Sequence, residues 1–113
     1  MIAMHFSPRH NRGMSATIIC GNCLDQIPQI PDRSIAACIT SPPYAERRKA
    51  HYAGIPERQY PSWTVQWMRA LRPKLTKDGN VLIVIRPHLK NGQISDYVLR
   101  TRLALRAETA KLL

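Results

Sequence analysis

The chain has 113 residues, a length that suits one small domain, and 44% of them are hydrophobic, which excludes a fully disordered protein. Seventeen Lys and Arg against seven Asp and Glu give a formal net charge of +10, which favours a nucleic-acid partner over a basic surface that binds no polyanion. The longest apolar runs, such as residues 81–85, are too short to cross a bilayer, so we expect a cytoplasmic protein without a membrane partner.

The first predicted elements follow an irregular arm. Residues 1–15 have no hydrophobic periodicity, and we expect them to precede a domain that spans residues 16–113. The apolar, β-branched run 16–20 predicts a buried strand. Residues 24–30 carry apolar side chains at helical spacing, and residues 34–40 predict a second buried strand.

A Ser-Pro-Pro-Tyr segment follows the second predicted strand directly, at residues 41–44. Two prolines cannot continue a sheet ladder, so the segment is predicted to be a loop at the carboxyl end of a strand. Ligands bind at that end of open α/β sheets. The alternative is a rigid turn that only exposes a tyrosine.

A helix is predicted from Pro61 to a point near Pro73, with Trp63 and Trp67 on its apolar face. A pair of tryptophans can stack on bases, but the i, i+4 spacing favours core packing.

The last third of the chain predicts a turn at residues 78–80, a third strand at 81–85, a turn at 91–92 and a helix from Ile94 onward. We expect His88 in a surface loop. Strands that alternate with helices indicate an α/β fold, with a mainly parallel sheet and flanking helices.

Three cysteines, an odd number, predict free thiols. Cys20 and Cys23 form a C-x-x-C, but the upstream histidines His5 and His10 do not match the spacing of a common zinc module. We therefore expect no metal, and thiols in the core or at strand ends.

The segment Thr40-Ser41-Pro42-Pro43-Tyr44, together with residues 18–24 before it and 77–85 after it, resembles the amino-directed DNA methyltransferases of bacteria and phages. These enzymes form the N4-cytosine and N6-adenine family with the T-S-P-P-Y motif, and the resemblance extends over residues 16–106. It implies a partial Rossmann-like fold that uses S-adenosyl-L-methionine and acts on double-stranded DNA.

The resemblance also implies that Ser41, Pro42, Pro43 and Tyr44 are catalytic. The exocyclic amine of a base is a poor nucleophile, and acceptors on its N–H groups would localise its lone pair. The Ser41 hydroxyl and the Pro42 carbonyl can be these acceptors, while Tyr44 can stack on a flipped base. Family members with serine at position 41 tend to methylate cytosine N4, so we expect cytosine, with adenine N6 as the alternative.

Further contacts are predicted on both sides of this segment. Arg47, Arg48, Lys49 and Tyr52 are expected to contact DNA phosphates near the flipped base, the alternative being a solvated basic loop. Asn22 stands where the family often has an aspartate near the adenine of the cofactor; the alternative is a turn residue at a strand end.

The family's glycine-rich Phe-x-Gly-x-Gly cofactor loop is missing from this sequence, whose five glycines are widely separated. We therefore expect a fragment, inactive by itself unless a second polypeptide carries that loop. The alternatives are a non-catalytic nucleic-acid-binding remnant and a basic structural or ribosome-associated module.

Overall fold

The computed structural model describes residues 16–45 and 54–111, so the predicted arm 1–15 lies outside the described residues. The elements in chain order are α1 (Cys23–Gln26), a 3₁₀ turn (Ile27–Gln29), β1 (Ile35–Thr40), α2 (Tyr60–Leu71), a 3₁₀ turn (Arg72–Lys74), β2 (Leu75–Ile83), β3 (Leu89–Lys90), β4 (Gln93–Ile94) and α3 (Tyr97–Ala110). This is a mixed α/β structure with a parallel two-stranded sheet. Among the described helices, none has the length and apolar character that crossing a membrane requires.

The chain divides into two compact units. The described part of the first unit consists of residues 16–41 and Trp67–Val84, and therefore contains α1, β1, β2 and the end of α2. The described part of the second consists of residues 42–45, 54–66 and 85–111, with the start of α2, the β3–β4 hairpin and α3.

The sheet of the first unit pairs β1 with β2 in parallel, as the sequence predicts. The register is regular from Ala37 opposite Asn80 to Thr40 opposite Ile83, but it shifts before that, because Ile35 lies opposite Leu75. The predicted turn at 78–80 is therefore an irregular part of β2, and the predicted strand 81–85 begins earlier and ends at Ile83.

The two faces of this sheet differ. Cys38 and Thr40 are buried on one face of β1, and Ile35 at the start of the strand is buried as well. Ile39 and Leu82, which are register partners on the other face, are 63% and 58% exposed. Parallel sheets are normally covered on both faces, so this open apolar face is unusual for a strand pair of this kind.

Residues 16–20 do not form the predicted buried strand: they are exposed, and Ile18 is 86% exposed. A β-branched run becomes a strand only where a neighbouring strand accepts its hydrogen bonds, and no described strand pairs with it. The predicted helix 24–30 is instead two short pieces, α1 and a 3₁₀ turn, with Pro28 near the start of the second. Ile27 and Ile30 are buried, as the spacing predicts.

The three cysteines are free thiols, which confirms the prediction from their odd number. The expectation that they lie in the core or at strand ends fails for Cys20, which is exposed because residues 16–20 do not join the sheet. Burial raises the pKa of Cys23, which is half-buried, and of Cys38, which is buried in β1. Both thiols are therefore held in the neutral form, which reacts weakly as a nucleophile.

The core of the second unit is a cluster of Ala45, Tyr60 and Tyr97, all fully buried. The aromatic rings of Tyr60 and Tyr97 meet edge to face, with centroids 5.0 Å apart. Trp63 packs partly buried against this cluster, and Trp67, one turn further along α2, is buried. The predicted core packing of the two tryptophans is confirmed.

The β3–β4 hairpin turns at Asn91 and Gly92, where a turn is predicted. Both residues have positive φ, 52° and 76°, as a two-residue type I′ turn requires. Because Ile94 belongs to β4, α3 begins at Tyr97, three residues later than predicted. Ser95 Oγ accepts a hydrogen bond from the Tyr97 amide at 3.4 Å.

Candidate functional site

Ser41 is the residue that directly follows β1 in the first unit. The end of β1 is fixed, because the Thr40 carbonyl accepts a hydrogen bond from the Val84 amide at 2.8 Å. Thr40 is buried, whereas Ser41 is exposed. Ser41 is therefore an exposed residue next to a fixed strand end, at the carboxyl end of a parallel strand as predicted.

Pro42, Pro43 and Tyr44 belong to the second unit. Pro42 is buried, Pro43 is exposed and Tyr44 is half-buried. The Pro43 carbonyl accepts a hydrogen bond of 2.7 Å from the Tyr60 hydroxyl, and Ala45 is fully buried in the core cluster. This Pro-Pro-Tyr loop is thus attached to the core of its unit on both sides of Tyr44.

Two buried tyrosines, Tyr60 and Tyr97, form the core beside the loop, and only Tyr60 bonds to it; neither role is predicted from the sequence. Tyr60 occupies the first position of α2, and the Tyr97 hydroxyl donates a hydrogen bond to the Arg86 carbonyl. The aromatic ring of Trp63 lies 5.3 Å from that of Tyr60. The sequence offers only a general indication of such a role, because any buried tyrosine hydroxyl needs a hydrogen-bond partner.

A carboxylate network lies elsewhere in the second unit. Glu57 Oε1 lies 2.6 Å from His88 Nε2 and accepts a hydrogen bond from Ser95 Oγ at 2.9 Å, while Lys90 Nζ lies 3.7 Å from Oε2. His88 lies in a loop, as predicted, but its side chain is only 10% exposed, so the prediction of a surface position is wrong. Its partner, Glu57, is distant in the sequence and cannot be found from local patterns.

The contacts in this network exclude His88 as a base that activates Ser95. Glu57 is the common partner of His88 and Ser95, so His88 is not the group that receives the Ser95 hydroxyl hydrogen bond. An activated serine needs its base within hydrogen-bond distance. In addition, the Ser95 amide donates to the His88 carbonyl at 2.8 Å. The network therefore ties the hairpin to the chain that leads into α2.

Replacing Glu57 with alanine is expected to lower the free energy of unfolding by about 1–3 kcal/mol, because it leaves the largely buried His88 and the half-buried Ser95 without their shared acceptor. Urea unfolding followed by circular dichroism measures the loss. The matched control is Asp96→Ala, which breaks an exposed ion pair with Arg100 at 2.9 Å and is expected to cost less than about 1 kcal/mol. Equal losses in the two variants would contradict the structural role of Glu57.

Asn22 is the N-cap of α1, and its Oδ1 accepts a hydrogen bond from the Leu24 amide at 3.0 Å. The Asn22 carbonyl accepts from the amides of Asp25 and Gln26. The residue is exposed. It therefore has a local structural role whether or not it also contacts a cofactor.

The predicted DNA-contacting residues, Arg47, Arg48, Lys49 and Tyr52, lie outside the described residues. Within the described ranges, α3 presents exposed basic side chains at Arg100, Arg102 and Arg106, the first of which pairs with Asp96. Residues 16–45 and 54–111 contain no group of three or more His, Cys, Asp and Glu side chains placed to hold a metal ion.

Comparison with known proteins gives one similarity of note. No family model matches the chain, and no solved structure matches it. The chain is 29% identical over 69 residues to the type II methyltransferase M.PvuII of Proteus hauseri. The matched stretch covers 61% of this chain and 20% of the relative, so the chain spans about a fifth of the length of the curated relative it matches. Sequence similarity therefore supports a methyltransferase.

Proposed function

We propose that this chain is part of a DNA methyltransferase that methylates an exocyclic amino group of a flipped base, with cytosine N4 favoured over adenine N6. The observation that carries the proposal is the exposed Ser41 at the carboxyl end of a parallel strand, followed by the anchored Pro-Pro-Tyr loop. The similarity to a type II methyltransferase supports the same reaction class. The fold we propose for the whole is Rossmann-like, of which β1, β2 and α2 are a part.

In this proposal the residues of this chain activate the amino group of the target base, which is the nucleophile of the reaction. The Ser41 hydroxyl and the Pro42 carbonyl accept hydrogen bonds from the two N–H groups of the target amine, which localises the nitrogen lone pair. Tyr44 stacks on the face of the base after it leaves the duplex. Proline rings at 42 and 43 restrict the backbone, so the acceptors need little reorganisation when the base arrives.

The cofactor in this proposal is S-adenosyl-L-methionine, which supplies a methyl group activated on a sulfonium. The described residues fit it only in part. Asn22 is exposed and carries an amide that can contact the adenine, although its Oδ1 already caps α1. The chain offers no glycine-rich loop for the methionine moiety, because its five glycines are widely separated.

We therefore also propose that a second polypeptide carries the glycine-rich cofactor loop. The open sheet face supports this: Ile39, Leu82 and Val84 are exposed, and parallel sheets are normally covered on both faces.

Methyl transfer tests the proposed function. The chain is expressed from its own genomic segment, so that a neighbouring gene can supply the second polypeptide, and is incubated with DNA and cofactor labelled in the methyl group. Mass spectrometry of the digested DNA is expected to find N4-methylcytosine. Ser41→Ala is expected to lower the transfer rate at least about tenfold, the kinetic equivalent of one hydrogen bond of about 1.4 kcal/mol.

Other outcomes separate the alternatives. N6-methyladenine alone would contradict cytosine as the target. DNA binding without any transfer would favour a non-catalytic nucleic-acid-binding remnant. Tight RNA binding that is indifferent to a Tyr44→Ala change would favour a basic structural or ribosome-associated module.

The basic segment after the loop gives a separate prediction. We propose that Arg47, Arg48, Lys49 and Tyr52 contact double-stranded DNA near the flipped base. Replacing the three basic residues with glutamine is expected to weaken DNA binding and to reduce the slope of log K against log salt by about 3, because three phosphate contacts are lost. Fluorescence anisotropy over a salt series measures both quantities. An unchanged slope would mean that the segment is merely solvated.

A further inference from the structure

The Tyr60 side chain reaches a part of the chain that is 17 residues away in the sequence. Its hydroxyl donates a hydrogen bond of 2.7 Å to the Pro43 carbonyl. The tyrosine itself is fully buried at the first position of α2, and its ring packs edge to face on Tyr97. The donor is therefore held by a helix and by an aromatic neighbour, and it fixes the direction of the Pro43 carbonyl.

Ala45 provides a second attachment two residues further on. It is fully buried in the cluster that contains Tyr60 and Tyr97. Tyr44 stands between these two attachments and is half-buried. A residue whose two neighbours are both fixed has few backbone conformations left to lose when it binds a ligand.

We infer that Tyr60 is a positioning residue, which holds the backbone at Pro43 so that Tyr44 is pre-arranged to stack on a flipped cytosine. The inference rests on the proposed function for the identity of the ligand. It adds to that function a residue outside the Ser-Pro-Pro-Tyr segment. Tyr60 acts through Pro43 and Tyr44 and does not contact the base itself.

The chain contains a matched control for this role. Tyr97 is equally buried, and its hydroxyl also donates to a main-chain carbonyl, that of Arg86. Tyr60→Phe and Tyr97→Phe each remove one buried hydroxyl and keep the ring. A purely structural role predicts similar effects from both changes. A positioning role predicts that only Tyr60→Phe alters Tyr44.

Two nuclear magnetic resonance measurements on the 113-residue chain separate these roles. The first is the hydrogen-exchange rate of the Tyr44 and Ala45 amides in the free protein. Tyr60→Phe is expected to raise it about five- to tenfold, the equivalent of one hydrogen bond, while Tyr97→Phe leaves it unchanged. The second is a titration with deoxycytidine followed at the Tyr44 ring, in which Tyr60→Phe is expected to weaken binding by a similar factor.

Ala45→Gly is a second test of the same role, for use if the Tyr60→Phe variant does not fold. It removes the buried methyl group, leaves the Tyr60 hydroxyl in place, and is expected to change both measurements in the same direction. Equal effects of Tyr60→Phe and Tyr97→Phe, or unaltered Tyr44 signals in a folded Tyr60→Phe variant, would overturn the positioning role. If Tyr60→Phe does not fold, unaltered Tyr44 signals in Ala45→Gly would overturn it. If the exchange rates change as expected but the unaltered chain does not bind deoxycytidine, the proposed function fails and the mechanical coupling of Tyr60 to the loop stands.

Discussion

Replacing Trp67 with alanine is expected to lower the free energy of unfolding by about 3–5 kcal/mol, the usual cost of deleting a buried indole. Trp67 is only 2% exposed, and it lies on the face of α2 that also buries Leu71. The truncation would leave a cavity in the first unit that its neighbours cannot fill without moving. Since a domain of this size is stabilised by roughly 5–15 kcal/mol, the variant is expected to be partly unfolded at 37 °C.

Trp63→Ala is the control for this prediction, because the two tryptophans lie one turn apart on the same helix. Trp63 is only partly buried, so we expect its loss to cost about half as much. Urea unfolding of both variants, followed by circular dichroism, measures the difference. A stable Trp67→Ala variant with weakened DNA binding would instead support base stacking by the indole ring.

Gly79→Ala is expected to be the next most harmful change, with a loss of about 1–3 kcal/mol, toward the upper end of the range for overpacking. A Cβ atom at Gly79 would lie 2.9 Å from the Ile35 carbonyl oxygen and 3.0 Å from both the Thr76 carbonyl oxygen and Leu75 Cβ. Two of these three atoms belong to the main chain, which cannot turn aside as a side chain can. The methyl group would therefore push β2 away from the start of β1.

Gly92→Ala separates this crowding from the general effect of replacing a glycine. Gly92 has a positive φ, but a Cβ atom there would meet nothing within 4 Å. Its replacement is expected to cost about 1 kcal/mol, from backbone strain alone. Thermal unfolding of the two variants measures the difference, and a smaller loss for Gly79→Ala than for Gly92→Ala would contradict the close approach of the strands.

The elements predicted correctly are those with strong local signals. β1 follows from an apolar run that two prolines end, and α2 from a proline near its start and apolar residues at helical spacing. The hairpin turn follows from Asn91-Gly92, because these residue types tolerate positive φ. The loop position of Ser41 after a parallel strand also follows, since strand and loop are adjacent in the sequence.

The predictions that fail depend on partners that are distant in the sequence. Residues 16–20 have the composition of a strand, but composition cannot supply a neighbouring strand to pair with. His88 lies in a loop as predicted, but its burial depends on Glu57, whose carboxylate lies 2.6 Å from it. The Tyr60 hydroxyl finds the Pro43 carbonyl through the fold of the second unit, and no spacing rule connects the two.

The open face of the sheet has a kinetic consequence. β1 pairs in parallel with a strand about 40 residues later in the chain, as from Ile35 to Leu75, so the pairing waits for a long loop to close. Throughout that interval Ile39 and Leu82 are accessible to other chains, and they stay exposed after the strands have met. At high protein concentration, a fraction of the chains is therefore expected to aggregate instead of refolding. Replacing Leu82 with a charged residue is expected to increase the fraction that refolds.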